Sequence, residues 1–340
     1  MRIFVGEYVC GGGLARQSLD SIPKSLRMEG EAMLRAIVSD LSEVAETVVP
    51  LDPRFEIETQ ASRTINADPD QPLWAQWVAA AAECDSALIV APESDGILAK
   101  GVAMLRAGGV DVIAGSGDFL RVASDKVQTA KVMLAAGVAH PISMSLSDRR
   151  FERELEDSDR YVVKPRDGCG TQEIRTFDSF DEARAELTDE MILQNWMPGR
   201  PVSIAMVASG QLQTFLPAVS QVLDEQSLEY AGGCGPLQDD IQRRATALAS
   251  RAIAAMPPTV RGFVGLDLLI GDRPSEDCVI EINPRLTTSY VGLRQMINGN
   301  LAARLFDLES GPVSCSAAAE SIRWTPDGKV WVNDVAADHA

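Results

Sequence analysis

Apolar residues recur along the first third of the chain in two alternating rhythms. Short, β-branched runs at 2–5, 44–49, 87–90 and 110–113 predict strands. The segments 28–41, 74–83 and 96–107 carry the three-to-four-residue spacing of amphipathic helices. Alternation of this kind predicts a small parallel sheet with helices on both faces. Ligands on such sheets lie at the carboxyl ends of the strands, here Glu7, Gly11-Gly12-Gly13 and Pro92-Glu93-Ser94-Asp95. The triple glycine suits a phosphate or substrate loop and equally a plain connection.

The rhythm changes near residue 122. Ser124 is the expected N-cap of a helix that begins at Lys126 and stops at Gly137. A strand over 161–165 runs into the glycine-containing turn Arg166–Thr171, and an acidic helix follows over 179–187. Strands over 191–194 and 202–208 are joined through Pro198-Gly199-Arg200-Pro201, and 239–255 is a long amphipathic helix. The runs 263–270 and 278–282 flank a turn-like segment, Gly271–Asp277, and predict a hairpin. Helices mixed with antiparallel strands imply α+β lobes for this part of the chain. Beyond Leu308 the residues become small and polar, and 322–332 around Pro326-Asp327-Gly328 has the pattern of a terminal hairpin.

Composition narrows the class without naming it. Of 340 residues, 46% are hydrophobic and 24% charged, as in ordinary globular proteins, so a sizeable core is feasible. No apolar run is long enough to span a bilayer, and the amino terminus has the pattern of a first strand, so a cytoplasmic location is expected. A net charge of −18 without any basic block argues against a nucleic-acid partner. The six cysteines, at 10, 84, 169, 234, 278 and 315, form no C-x-x-C pair and are expected to be reduced. With only His140 and His339 in the chain, a Cys–His couple is poorly supplied, and packing is the better account of the thiols.

The chemistry concentrates at the 263–285 hairpin. If its strands pair symmetrically about Pro274, Asp267 falls opposite Glu281, and Asn283 shares the face of Glu281 because side chains alternate along a strand. A carboxylate among Val, Leu and Ile is costly without a partner, and an all-oxygen set favours Mg²⁺ or Mn²⁺ over zinc. The alternative is an Asp267 satisfied by backbone, with Glu281 and Asn283 merely ending an edge strand. Lys126 at a helix start and Lys164 at a strand end before a glycine turn both suit phosphate.

Taken in order, Ser124-Asp125-Lys126, Val163-Lys164-Pro165 with its glycine loop, Leu193–Gly199, Asp267 and Glu281-Ile282-Asn283-Pro284-Arg285 resemble the ATP-grasp ligase superfamily over about residues 115–310. The resemblance implies two α+β lobes clasping ATP over 123–310. An α/β domain precedes them at 1–122, and a tail with a hairpin follows at 311–340. It implies that Lys126 and Lys164 contact the nucleotide phosphates and that Asp167, Gly168, Cys169, Gly170 and Thr171 close over the β- and γ-phosphates. Gln194, Asn195, Trp196 and Met197 would form the adenine hinge. Asp267, Glu281 and Asn283 would hold two Mg²⁺ or Mn²⁺ ions, and Arg285 would face the reacting group beside Lys164. One departure is Pro201, where many members carry a ribose-binding carboxylate; Ser203 or a residue elsewhere would have to replace that contact.

Within the superfamily, Glu7–Gly13, Tyr230–Pro236 and Asn283–Tyr290 resemble the tyramine–glutamate ligase group of methanofuran biosynthesis. That resemblance implies ATP-dependent amide formation through an acyl phosphate, with the γ-carboxylate of L-glutamate and a tyramine-like amine as small-molecule substrates. Glu7, Gly12, the Gly232–Pro236 loop with Gly233, and Ser289 would be substrate contacts. The ATP-grasp resemblance also implies a homodimer, and the charge and apolar pattern described above lead to the expectation of neither nucleic-acid nor membrane partners. A ligase for another amino acid or dipeptide, and a nucleotide-binding protein without turnover, stay open at this level.

Overall fold

A computed structural model describes residues 1–168, 174–210, 212–224, 227–316 and 321–336. Among these residues the strands form three sheets. The first holds β1 (Arg2–Glu7), β2 (Glu46–Leu51), β3 (Arg63–Asn66), β4 (Ser86–Val90) and β5 (Asp111–Val112), all parallel in the order β3-β2-β1-β4-β5. Alternation along β1 sends Ile3 and Val5 to one face, with Leu34 and Ile37 of α1 (Lys24–Ser42). Phe4 goes to the other, with Trp77 of α2 (Leu73–Ala81) and Leu98 of α3 (Ile97–Ala107). Apolar spacing missed β3 because Arg63-Thr64-Ile65-Asn66 is a polar, largely exposed edge strand with Ile65 as its one apolar residue.

A short helix, α4 (Gly117–Ala123), leads into α5 (Lys126–Ala135). The N-cap of α5 is Asp125 and not Ser124. The Asp125 carboxylate accepts from the N–H groups of Val127 (2.9 Å) and Gln128 (3.2 Å), while Ser124 ends α4. A carboxylate is the better cap here because it also takes a two-pronged contact from Arg166.

The second sheet is antiparallel, in the order β6-β9-β7-β8: β6 (Ser143–Met144), β7 (Tyr161–Pro165), β8 (Arg175–Phe177) and β9 (Met191–Asn195). Its core of Met144, Tyr161, Val163 and Leu193 is closed by Leu155 of α6 (Glu152–Glu156) and Ala183 of α7 (Phe180–Ala185).

The third sheet gathers β10 (Arg200–Ser209), β11 (Leu212–Phe215), β12 (Val219–Leu223), β13 (Tyr230–Gly235), β14 (Gly262–Ile270), β15 (Cys278–Asn283), β16 (Ile322–Trp324), β17 (Val330–Val332) and β18 (Val335–Ala336). Its order is β15-β14-β10-β12-β13-β16-β17-β18, with β11 on β10. Val202, Ile204, Val264, Leu266 and Leu268 pack on Leu248 and Ala252 of α8 (Asp239–Ala255), so the opposite face, with Ser203 and Asp267, looks into the cleft. The Gly232–Pro236 stretch, expected as a loop, largely belongs to strand β13, which pairs with both β12 and β16. Glycines carry no side-chain alternation, so the strand left no pattern to read.

Two helices, α9 (Tyr290–Met296) and α10 (Leu301–Leu305), complete the packing. The core that starts at Ile3 and Leu34 runs on without a break through Leu286, Tyr290, Leu293 and Leu301 to Trp324. A polar latch reinforces it: Arg294 and Tyr290 both donate to the carboxylate of Asp40 on α1. Among the described residues no helix is long and apolar enough to cross a membrane.

Candidate active site

All three sheets contribute to one cleft of about 1520 Å³. The hairpin pairs as the symmetric register requires, Asp267 with Glu281 and Gly265 with Asn283, and Ser203 of β10 lies opposite Asp267 on the other side. A bulge follows, so that Leu268 pairs with Val279. It lets Val279 and Ile282 both pack on α8 while Ile280 and Glu281 both line the cleft.

Around Asp267 the donors converge. Gln221 Nε2 donates to its Oδ1 (2.7 Å) and Asn283 Nδ2 to its Oδ2 (3.1 Å), and the Ser203 hydroxyl also bonds to it. Burial, and then the charge of Glu281, push the Asp267 carboxyl above the usual carboxylate range. Glu281 is held by Lys126 at 3.4 Å. Two carboxylates and an amide on one face, with hard oxygen donors and mutual repulsion, fit a divalent cation. Among the described residues no group of three His, Cys, Asp or Glu side chains offers another metal site.

The lysines face this set. Lys126 opens α5 and donates to the carbonyl of Gly168 (3.3 Å). Lys164 ends β7 and is buried; its ammonium is brought down to about 8, first by burial, with Lys126 adding to the effect against Glu281 and Asp267. Asp167 reaches the parallel-sheet domain, where the Asp95 N–H donates to its Oδ2 (3.0 Å). Cys169, Gly170 and Thr171 lie outside the described residues.

At the hinge, Gln194 is buried and donates to Ser143 Oγ (2.8 Å). The N–H groups of Asn195 and Trp196 are taken by the carbonyls of Ile142 and Arg160, whereas the buried Oδ1 of Asn195 has no hydrogen-bond partner. An orphan acceptor in the cleft wall suits a donor such as a base amino group. Pro201 and Ser203 line the cleft, but the Ser203 hydroxyl is engaged with Asp267 and is therefore poorly placed to replace a ribose carboxylate.

Arg285 lies 2.9 Å from Glu93 in a nearly dry ion pair, its side chain 10% exposed and that of Glu93 3%. Burial raises the Glu93 carboxyl, and Arg285 pulls it back. Ser289 lines the cleft beside Thr287, to which its hydroxyl is bonded. The remaining expected substrate contacts are placed elsewhere. Glu7 is buried, accepts from Cys10 N (2.7 Å) and sits under Gly30, where a Cβ would come within 2.8 Å of its carboxylate. Gly12 takes a φ of 95° in the turn that Glu7 caps. Gly232 and Gly233 make room for Trp324, whose carbonyl and ring a Cβ would overlap. Sequence reasoning missed Gln221, Glu29 and Trp324 as cleft residues, since none sits in a recognisable motif; Glu93, at the carboxyl end of a parallel strand, had a positional signal.

The model of an ATP-grasp domain matches residues 123–289, and that of a pre ATP-grasp domain matches 45–118. The chain carries an ATP-grasp domain. Its fold is that of solved ATP-grasp structures. A protein from Archaeoglobus fulgidus described as belonging to the ATP-grasp superfamily superposes with a TM-score of 0.72 at 23% identity, over 95% of this chain and 92% of that one. N5-carboxyaminoimidazole synthetase from Staphylococcus aureus, complexed with ADP, gives 0.70 at 14% identity over 95% and 81%. At such identities the likeness establishes the fold alone. The tyramine–L-glutamate ligase of Methanocaldococcus fervens is 26% identical over 210 residues, 62% of each sequence. That of Methanocaldococcus jannaschii is 24% identical over 62% of this chain and 58% of its own. The chain thus spans about three fifths of the length of the curated relatives it matches.

Proposed function

We propose that this ATP-grasp protein is an ATP-dependent carboxylate–amine ligase, joining the γ-carboxylate of L-glutamate to tyramine or a related amine. The observation that carries the reading is the convergence of Asp267, Glu281 and Asn283 with Lys126, Lys164 and Arg285 in one cleft. The similarity to tyramine–L-glutamate ligases supports the substrate pair.

In this reading the carboxylate oxygen attacks the γ-phosphorus, the bond to the β,γ-bridging oxygen breaks, and ADP leaves. The acceptor's ammonium first gives up a proton to free its lone pair, the amine nitrogen then attacks the acyl carbon, phosphate departs, and the nitrogen gives up a second proton. Bound at Asp267, Glu281 and Asn283, two Mg²⁺ or Mn²⁺ ions would supply charge neutralisation at the β- and γ-phosphates. Lys126 and Lys164 hold the phosphoryl oxygens, and both side chains are sheltered enough for their charge to count. Arg285, anchored by Glu93, orients the carboxylate. Asn195 Oδ1 accepts from the adenine amino group, and the backbone of 195–197 edges the base. No side-chain nucleophile is required.

The test is ADP release by the purified chain with ATP and Mg²⁺ or Mn²⁺, L-glutamate, and then tyramine. Release that needs both, with γ-glutamyltyramine seen by mass spectrometry, is the expected result. Turnover only with other carboxylate–amine pairs would discard this substrate pair, and nucleotide binding without turnover on any pair would discard the ligase.

A further inference from the structure

One part of the cleft wall is lined by residues that belong to neither the expected nucleotide nor the expected metal set. Leu26 and Glu29, three residues apart on α1, present one face of that helix to the cleft. Thr288 Oγ1 donates to Glu29 Oε2 (2.9 Å). Four residues further on, Gly292 lies against the ring of Trp324, where a Cβ would overlap the indole. Trp324 Nε1 in turn donates to the hydroxyl of Tyr230 (2.9 Å), and both aromatics line the cleft. The indole also packs on Gly233, which pairs with Gln221, the donor to Asp267. The aromatic pair therefore lies on the cleft side, one strand pairing from Gln221 and three to four strands across the sheet from Asp267.

We propose that this part of the cleft is the acceptor subsite: Glu29 binds the ammonium group of a primary amine, and the Tyr230–Trp324 pair with Leu26 encloses a flat aromatic body. The proposal deepens the ligase reading and rests on it for the chemistry of the bound amine. Glu29 lines the same cleft as Leu26, Tyr230 and Trp324, and a carboxylate beside such apolar and aromatic groups selects a cation with an apolar tail. Burial lifts its carboxyl above the ordinary range against the lowering effects of Thr288 and then Arg285, so a bound cation would stabilise its charged form. A second carboxylate substrate would meet repulsion from Glu29 here.

The experiment reads binding and turnover separately. Phenethylamine, butylamine and 4-ethylphenol are titrated calorimetrically into the full-length chain with ADP and Mg²⁺, for wild type, Glu29→Gln, Glu29→Asp and Trp324→Phe. The expected result is that phenethylamine binds wild type at least tenfold more tightly than either probe. Glu29→Gln should erase the advantage over 4-ethylphenol, and Glu29→Asp should restore part of it. Trp324→Phe, which keeps a ring but loses the bond to Tyr230, should reduce the advantage over butylamine. Thermal melts confirm that each variant is folded. Equal phenethylamine affinity in wild type and Glu29→Gln, or no binding to wild type, overturns the subsite. Failure of the ligase reading shows differently, as absent ADP release with amine binding intact.

Discussion

Lys164 links burial to function at the scale of one side chain. Burial brings its ammonium down to about 8, below the ordinary lysine value of 10.5. ADP phosphates favour the charged form, so below pH 8 the charge is already present and binding takes up no proton through this group. Above pH 8 the charge is lost and must be regained on binding. Metal-free ADP affinity should therefore fall as pH rises past about 8, by up to about tenfold per unit. Calorimetry in buffers of different ionisation heat should detect proton uptake at pH 9 and little at pH 7, and Lys164→Met should abolish the slope. At the other pole, Glu281→Gln should lower ADP release at least about 100-fold. Its melting temperature should stay close to wild type, because the lost Lys126 pair is offset by relief of repulsion with Asp267. Unchanged turnover in that variant would refute the metal assignment. Asp267 and Glu281 were legible in the sequence because strand alternation and a turn centred on Pro274 are local properties. Glu29 and Gln221 were not, because a polar residue on a helix or strand carries no mark of the cleft it faces.

Among the elements, the C-terminal hairpin is the instructive case. Its turn was readable, yet its partner was not: β16 adds to β13, and Trp324 fits only because residues 233 and 292 are glycines. Gly292→Ala should cost about 1–3 kcal/mol through overpacking. Combining it with Trp324→Ala should cost less than the sum of the two single changes, since the clash is removed. Chemical denaturation of the four proteins in that cycle measures this, and simple additivity would mean that the contact is unimportant. The strand β13 itself escaped the hydrophobic pattern, whereas α8 was legible to its ends because its apolar stripe is long and periodic.

In the molecule as a whole, the parallel-sheet domain and the large sheet behave as one body. Their core is continuous, and Asp40 on α1 is bound by Tyr290 and Arg294 of α9. Asp40→Leu leaves Arg294, 16% exposed, without its carboxylate, and a loss of about 3–5 kcal/mol is expected. The same change should separate a single denaturation transition into two when followed by hydrogen exchange of β1 and β14. One unchanged transition would show that apolar packing alone holds the two together. The cleft depends on this union, because Glu93 follows β4 of the first sheet and Arg285 follows β15 of the last.

What the sequence determined by itself was whatever short-range order can encode. This comprised the α/β alternation, the hairpin that sets Asp267 against Glu281, and the ordered lysines and glycine turn that resemble the ATP-grasp superfamily. The tertiary structure decided which distant groups meet. Glu93 reaches Arg285, Thr288 reaches Glu29, and Trp324 closes a wall of the cleft. The physical reason is that side-chain periodicity is written over a few residues, whereas these contacts arise when three sheets bury their apolar faces together and carry polar groups with them.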